Sequence, residues 1–215
     1  MSKVTKFYIL RHGESVGNYA KICLGHTDLD MTERGYEQAE RTAEALKNTH
    51  FDVIYSSDLK RAYNTALPHA KMRNMAIITT EGLREFNIGE WENIPRSEVL
   101  AKYGNMYDAG FVNGFGSFRA PGGESVPEAA ERMYATIESI AKNEEGRVVL
   151  LASHAGAIRA FWGKITGTPA EDLAAAYPFA SNASYSVFEY CDGVFTPIEY
   201  SVDNHLSDIK TVWVR

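Results

Sequence analysis

The chain has 215 residues, 45% of them hydrophobic, and its 22 lysines and arginines against 28 aspartates and glutamates leave a formal charge of −6. This is the size of one ordinary domain with a full core of its own, so a single unit over 1–215 is expected, and the acidic balance excludes a broad basic face for nucleic acid or an anionic membrane. Two cysteines, Cys23 and Cys191, match no CxxC spacing and are too few for a disulfide framework. They read as free thiols of a cytoplasmic protein, and no apolar stretch approaches the roughly 18 residues of a membrane span.

In chain order, Phe7 to Leu10 is a continuous apolar run ending at Arg11 and His12, the pattern of a buried strand running into a loop. Thr32 can cap a helix with Tyr36, Ala39, Ala43 and Leu46 on one face. Val53 to Tyr55 predicts the next strand. Ser57 and Asp58 supply a cap and a first-turn acid for a helix carrying Leu59, Ala62, Ala66 and Ala70, with Arg61 in its first turn. Ala76 to Thr79 is a short strand, and Leu83 to Trp91 a loop leading to a helix that ends near Lys102. From Gly104 to Gly123 glycines alternate with Tyr107, Phe111, Phe115 and Phe118, too Gly-rich for regular structure and too aromatic for a solvated linker. An ordered cap is expected there, inserted at about 93–124, its aromatics forming either their own small core or contacts to a substrate.

Ser125 and Glu128 form a capping box before a helix with Val126, Ala129, Met133, Ile137 and Ile140 inward, and Val148 to Ala152 is a strand ending at His154. A helix with Ile158, Phe161, Trp162 and Ile165 inward follows. Tyr185 to Tyr190 and Val194 to Tyr200 are strands joined by a hairpin at Asp192-Gly193. Asn182-Ala183-Ser184 matches a glycosylation sequon, which without an export signal reads as chance. The C-terminal triplet Val212-Trp213-Val214 either docks on the core or meets a second subunit, leaving monomer and homodimer both open. Strands alternating with helices imply an α/β fold, a three-layer sandwich with a mainly parallel sheet of about six strands, and such sheets bind ligands beyond their C-terminal strand ends.

His12 and His154 occupy two such ends, and Arg61 opens the helix after a third. With Arg11 they make a compact positive pocket in an acidic protein, which suits a small dianion. Arginine offers planar paired donors to phosphate oxygens, a helix start adds its positive dipole, and histidine adds a nucleophile or a further donor. Two histidines with no cysteine partner, no HExxH and no nearby carboxylate triad make a poor zinc site, so phosphate is preferred to metal.

The string Arg11-His12-Gly13-Glu14-Ser15 with Asn18 resembles the RHG signature of the histidine phosphatase superfamily, which includes cofactor-dependent phosphoglycerate mutases and many phosphomonoesterases. The resemblance continues through Thr32-Glu33-Arg34-Gly35, through Ser56-Ser57-Asp58-Leu59-Lys60-Arg61-Ala62, through Leu83-Arg84-Glu85 with Gly89 and Trp91-Glu92, and through Ser153-His154-Ala155-Gly156. It implies a phosphoglycerate mutase-like fold in which His12 becomes a phosphohistidine, Glu85 is the general acid and base, and Arg11, Asn18, Arg61 and His154 hold phosphate oxygens, with no metal and no cofactor. Alone, His12 would more often be a structural histidine, Arg11 or Arg61 a surface ion pair, and Glu85 a solvated loop acid. Four motifs in order beyond the RHG string favour the catalytic reading.

Gly17, where mutases of this family usually carry Trp, and Leu24-Gly25-His26, where they carry a hydroxyl residue, Gly and Trp, favour a phosphatase. So do the segment Glu85 to Glu92, the Ser153 to Gly156 string, and Pro121-Gly122-Gly123-Glu124-Ser125, which resembles the broad phosphatases, alpha-ribazole phosphatases among them. Asp30 and Asn93 depart from the usual Pro and Gly. The expected partner is a small phosphoester. A phosphoglycerate mutase and a non-catalytic phosphate-binding protein are the alternatives.

Overall fold

The computed structural model describes residues 3–104, 106 and 118–211. Its elements in chain order are β1 (Thr5–Arg11), α1 (Val16–Tyr19), β2 (Ile22–Cys23), α2 (Glu33–Ala45), β3 (Val53–Ser56), α3 (Lys60–Arg73), β4 (Ile77–Thr79), β5 (Ile94–Pro95), α4 (Arg96–Tyr103), α5 (Val126–Asn143), β6 (Val148–Ser153), α6 (Ala155–Thr166), α7 (Leu173–Ala176), β7 (Tyr185–Cys191) and β8 (Val194–Val202). Six strands form one sheet in the order β4-β3-β6-β1-β7-β8. The first four run parallel, while β7 is antiparallel to β1 and β8 to β7.

The two-residue period of β1 assigns the layers. Phe7 and Ile9 join Met133, Ile137, Ile158, Phe161 and Trp162, so α5 and α6 cover one face. Leu10 joins Ile54, Leu46, Ala62, Ala66 and Ala70, so α2 and α3 cover the other. A third cluster, built on the fully buried Trp91 with Phe86, Ile88, Val126 and Ala130, takes in Val99 and Phe118 from within the expected cap. Phe118 belongs to this core, its ring 5.2 Å from that of Trp91. Tyr107, Phe111, Phe115 and the C-terminal triplet lie outside the described residues.

The caps at Thr32 and at Ser125 with Glu128 form as the sequence predicts, and Asp192 and Gly193, both at positive φ, make the two-residue hairpin. Two local expectations fail. Leu59, not Ser57 or Asp58, occupies the cap position of α3, with no side-chain bond to the helix, because Asp58 is drawn into an ion pair with Arg84. Tyr36 is 41% exposed, its hydroxyl bonded to Asp30. The buried face of α2 is instead Gly35, Gln38, Ala39, Thr42 and Ala43, small or hydrogen-bonding residues suited to close approach by the loop after β1. A Cβ on Gly35 would sit 2.0 Å from the Glu14 carbonyl, and one on Gly13 would sit 2.4 Å from the Gly35 carbonyl, which is why both positions need glycine.

His69 on α3 is wholly buried against the Phe51 ring, and among the described residues neither ring nitrogen has a hydrogen-bond partner. Burial, aided by Arg73 and His205, pushes its pKa down to about 3. The unfolded chain, with an ordinary value near 6.5, therefore takes up the proton first as pH falls, and stability is lost below about pH 6.5 at up to about 1.4 kcal/mol per pH unit from this group. His69→Leu is expected to stabilise the protein at pH 7.5, since an unpartnered buried polar group costs about 1–3 kcal/mol, and by a larger margin at pH 5.5. Urea unfolding at the two pH values checks this; a margin independent of pH contradicts it.

Among the described residues no helix is long and apolar enough to cross a membrane.

Candidate active site

Parallel pairing brings the site together. Arg11 lies opposite Ser153, and Leu10, Ala152 and Ser56 share one row, so β1, β6 and β3 end side by side and deliver His12, His154 and Ser57 to one edge. The His12 N–H donates to the Ser153 carbonyl and the Ser57 N–H to the Ala152 carbonyl, carrying the ladder one residue past the strands. The His12 and His154 rings lie 5.2 Å apart, both buried.

The tautomer of His12 follows from its partner. Its Nδ1 is 2.7 Å from the Gly13 carbonyl, which can only accept, so Nδ1 carries the proton and Nε2 keeps its lone pair. Burial, with Arg61 and Arg11 adding repulsion, holds the ring well below the ordinary imidazole value, so it is neutral at physiological pH. Burial, then Arg61 and His12, does the same to His154, whose Nε2 lies 2.9 Å from the Ser57 hydroxyl.

Arg61 reaches back from the first turn of α3 and donates to the carbonyls of Thr27 at 2.7 Å and Gly25 at 2.8 Å, which fixes the plane of its guanidinium. Arg11 donates to the Ala180 carbonyl. Burial lowers both arginines to about 10, against the opposing pull of Glu85, and both stay charged near neutral pH. Asn18 accepts from the Ser15 N–H at 3.2 Å and from Asn182 Nδ2 at 3.1 Å through the same oxygen, so what it has left to offer an anion is its NH2.

Glu85 lies against the start of α6. Its Oε2 accepts from the Gly156 N–H at 3.0 Å, and its Oε1 from those of Ala157 at 2.8 Å and Phe86 at 3.1 Å. The carboxylate thus closes a helix end whose own cap residue, His154, makes no capping bond. A Cβ on Gly156 would come within 2.7 Å of the Glu85 carboxylate, so the glycine in Ser153-His154-Ala155-Gly156 is the room Glu85 needs.

The structure brings together all six sequence-derived residues, Arg11, His12, Asn18, Arg61, Glu85 and His154, and adds Arg132, which no sequence motif marked, and His26, which the sequence used only to separate phosphatase from mutase. Arg132 on α5 donates to the carbonyls of Gly82, Arg84 and Glu85 and pairs with Glu124. His26 Nε2 donates to the Glu85 carbonyl at 2.9 Å, while its N–H is held by Glu92. These partners fix the backbone of the segment carrying Glu85. Their targets are backbone carbonyls, which leave no trace in sequence. Among the described residues no three His, Cys, Asp or Glu side chains cluster as a metal site.

The arrangement gathers an unprotonated imidazole nitrogen, two fixed guanidinium groups and a carboxyl group at the ends of the parallel strands, the equipment to bind a tetrahedral dianion and exchange a proton beside it. A family model described as the histidine phosphatase superfamily (branch 1) matches residues 7–203. Phosphoserine phosphatase 1 of Hydrogenobacter thermophilus is 32% identical over 206 residues, covering 95% of this chain and 96% of the relative. A probable phosphoglycerate mutase GpmB of Yersinia pestis is 35% identical over 163 residues, 76% of this chain and 75% of the relative. Among solved structures, a mycobacterial glucosyl-3-phosphoglycerate phosphatase in complex with VO3 superposes with a TM-score of 0.85 at 25% identity, over 92% of this chain and 99% of that one.

Proposed function

The chain belongs to the histidine phosphatase superfamily and is a phosphoric monoester hydrolase of that family, and from this premise we propose that it hydrolyses a small phosphorylated metabolite through a phosphohistidine on His12, without a metal. The observation that carries the reading is the His12 ring pinned at Nδ1 by the Gly13 carbonyl at 2.7 Å, which leaves the Nε2 lone pair as the nucleophile.

In the first half-reaction Nε2 attacks phosphorus in line, the bond to the leaving oxygen breaks, and protonated Glu85 gives that oxygen its proton. In the second, Glu85 takes a proton from water as the water oxygen attacks the phosphohistidine, and inorganic phosphate leaves with Nε2 restored. Arg11, Arg61, His154 and the NH2 of Asn18 hold the equatorial oxygens, where positioning and charge supply most of the acceleration of phosphoryl transfer. The chain acts as one domain whose cap, at about 93–124, reads the alcohol. Two free thiols, Cys23 and Cys191, fit a cytoplasmic setting.

Phosphate release from phosphoserine, 3-phosphoglycerate, glucosyl-3-phosphoglycerate and 4-nitrophenyl phosphate, each with and without EDTA, tests the reading. At least one ester is expected to turn over at the same rate in both; activity abolished by EDTA contradicts a metal-free reaction. The likeness to GpmB supports a mutase as the second reading. Conversion of 3-phosphoglycerate to 2-phosphoglycerate without net phosphate release would establish it instead.

A further inference from the structure

The turn from Ser181 to Ser184 has no part in the chemistry above, yet it is bonded to the back of the nucleophile loop. The Ser184 N–H closes it on the Ser181 carbonyl at 3.0 Å. Ala183, its third residue, is wholly buried at φ +55°, a left-handed conformation strained for any side chain. Asn182 is 2% exposed, and its Oδ1 is buried with no hydrogen-bond partner among the described residues. A strained residue beside an unsatisfied one persists where the surroundings over-determine both.

Those surroundings are the RHG strand end. The Arg11 N–H donates to the Ser184 carbonyl at 3.0 Å, and the Ala183 N–H to the His12 carbonyl at 3.2 Å. Asn182 Nδ2 donates to that same carbonyl at 3.0 Å and to Asn18 Oδ1 at 3.1 Å. Backbone groups fix the polarity of this chain of bonds at both ends. The His12 carbonyl only accepts, so the Asn182 atom facing it is the nitrogen; the Ser15 N–H only donates, so the Asn18 atom facing it is the oxygen. Asn18 can then present nothing but NH2 to an anion.

We propose that Asn182 is a positioning residue of the phosphate site, acting through Asn18 by locking its amide with the donor side outward. The proposal rests on the reading of the pocket as a phosphate site. It also gives the sequon-like Asn182-Ala183-Ser184 an internal role, since the Asn182 nitrogen is already committed.

The test is a double-mutant cycle read by competitive inhibition with inorganic phosphate, with urea unfolding to confirm that each variant folds. Asn182→Ala is expected to raise the phosphate inhibition constant about fivefold to tenfold in the wild-type background and less than twofold in the Asn18→Ala background. Asn182→Asp, which keeps the shape but faces two acceptors with a third, is expected to weaken phosphate more than alanine does. Should Asn182→Ala not fold, Asn182→Ser takes its place in the same cycle. Equal losses in both backgrounds, or an aspartate variant that binds like wild type, overturn the proposal and leave the phosphatase reading intact. A wild-type protein that turns over no phosphoester and is blind to inorganic phosphate overturns both.

Discussion

Replacing His12 with alanine is expected to lower kcat on the order of 10⁵-fold while leaving the fold intact and the affinity for inorganic phosphate within about tenfold of wild type. Arg11, Arg61, His154 and Asn18 survive the substitution, so the anion still has its donors; what disappears is the Nε2 lone pair. The magnitude discriminates between roles. Were His12 only one more donor to the phosphate, its loss would cost about 10²–10³ in rate, the usual effect of removing one such contact. Rapid quench with a labelled phosphoester is expected to trap acid-labile phosphate on the wild type and none on the variant. A residual rate within a hundredfold of wild type would remove His12 from the chemistry.

Glu85→Gln is expected to divide substrates by their leaving groups. For an alkyl phosphoester, whose alkoxide needs a proton as it departs, kcat should fall about 10²–10⁴-fold; for 4-nitrophenyl phosphate, whose leaving group is stable as an anion, the first step should fall by less than about tenfold. Burst kinetics separate the steps, because dephosphorylation also needs the carboxylate as a base. The substitution has a structural cost as well. Glu85 accepts from Gly156, Ala157 and Phe86 through two oxygens, and glutamine has only one, so an NH2 must face a helix N–H. A loss of about 1 kcal/mol in urea unfolding is expected from that mismatch. Equal losses of rate on both substrates would make Glu85 a helix cap and nothing more.

His12 and His154 were legible in the sequence because each ends an apolar strand, and parallel strands in adjacent register place their ends together. Arg61 was legible as a first-turn residue, but its grip on the carbonyls of Gly25 and Thr27 was not, since a backbone acceptor has no sequence signature. Glu85 came only from motif register among several nearby acids. What singles it out physically is the bare start of α6, and that shows only once β6 and the Glu85 segment are packed together. The same distance in sequence hid Arg132, His26 and Asn182. The displaced cap of α3 failed for a related reason: the local propensity of Asp58 lost to Arg84, a partner 26 residues away.

The position of β1 has a consequence for how this protein is made. The first strand sits inside the sheet, between β6 and β7, so Phe7, Ile9 and Leu10 have no strand neighbours until Val149, Leu151 and Phe188 have been added to the chain. The loop that carries His12 likewise waits for Ala183 and Ser184 to close behind it. A chain emerging in order from the ribosome therefore exposes the apolar run of this strand until those partners follow, with folding governed by contacts of long sequence separation. His12 thus precedes in the chain, by roughly 140 to 170 residues, the partners at Ser153, Ala183 and Ser184 that set its loop in place.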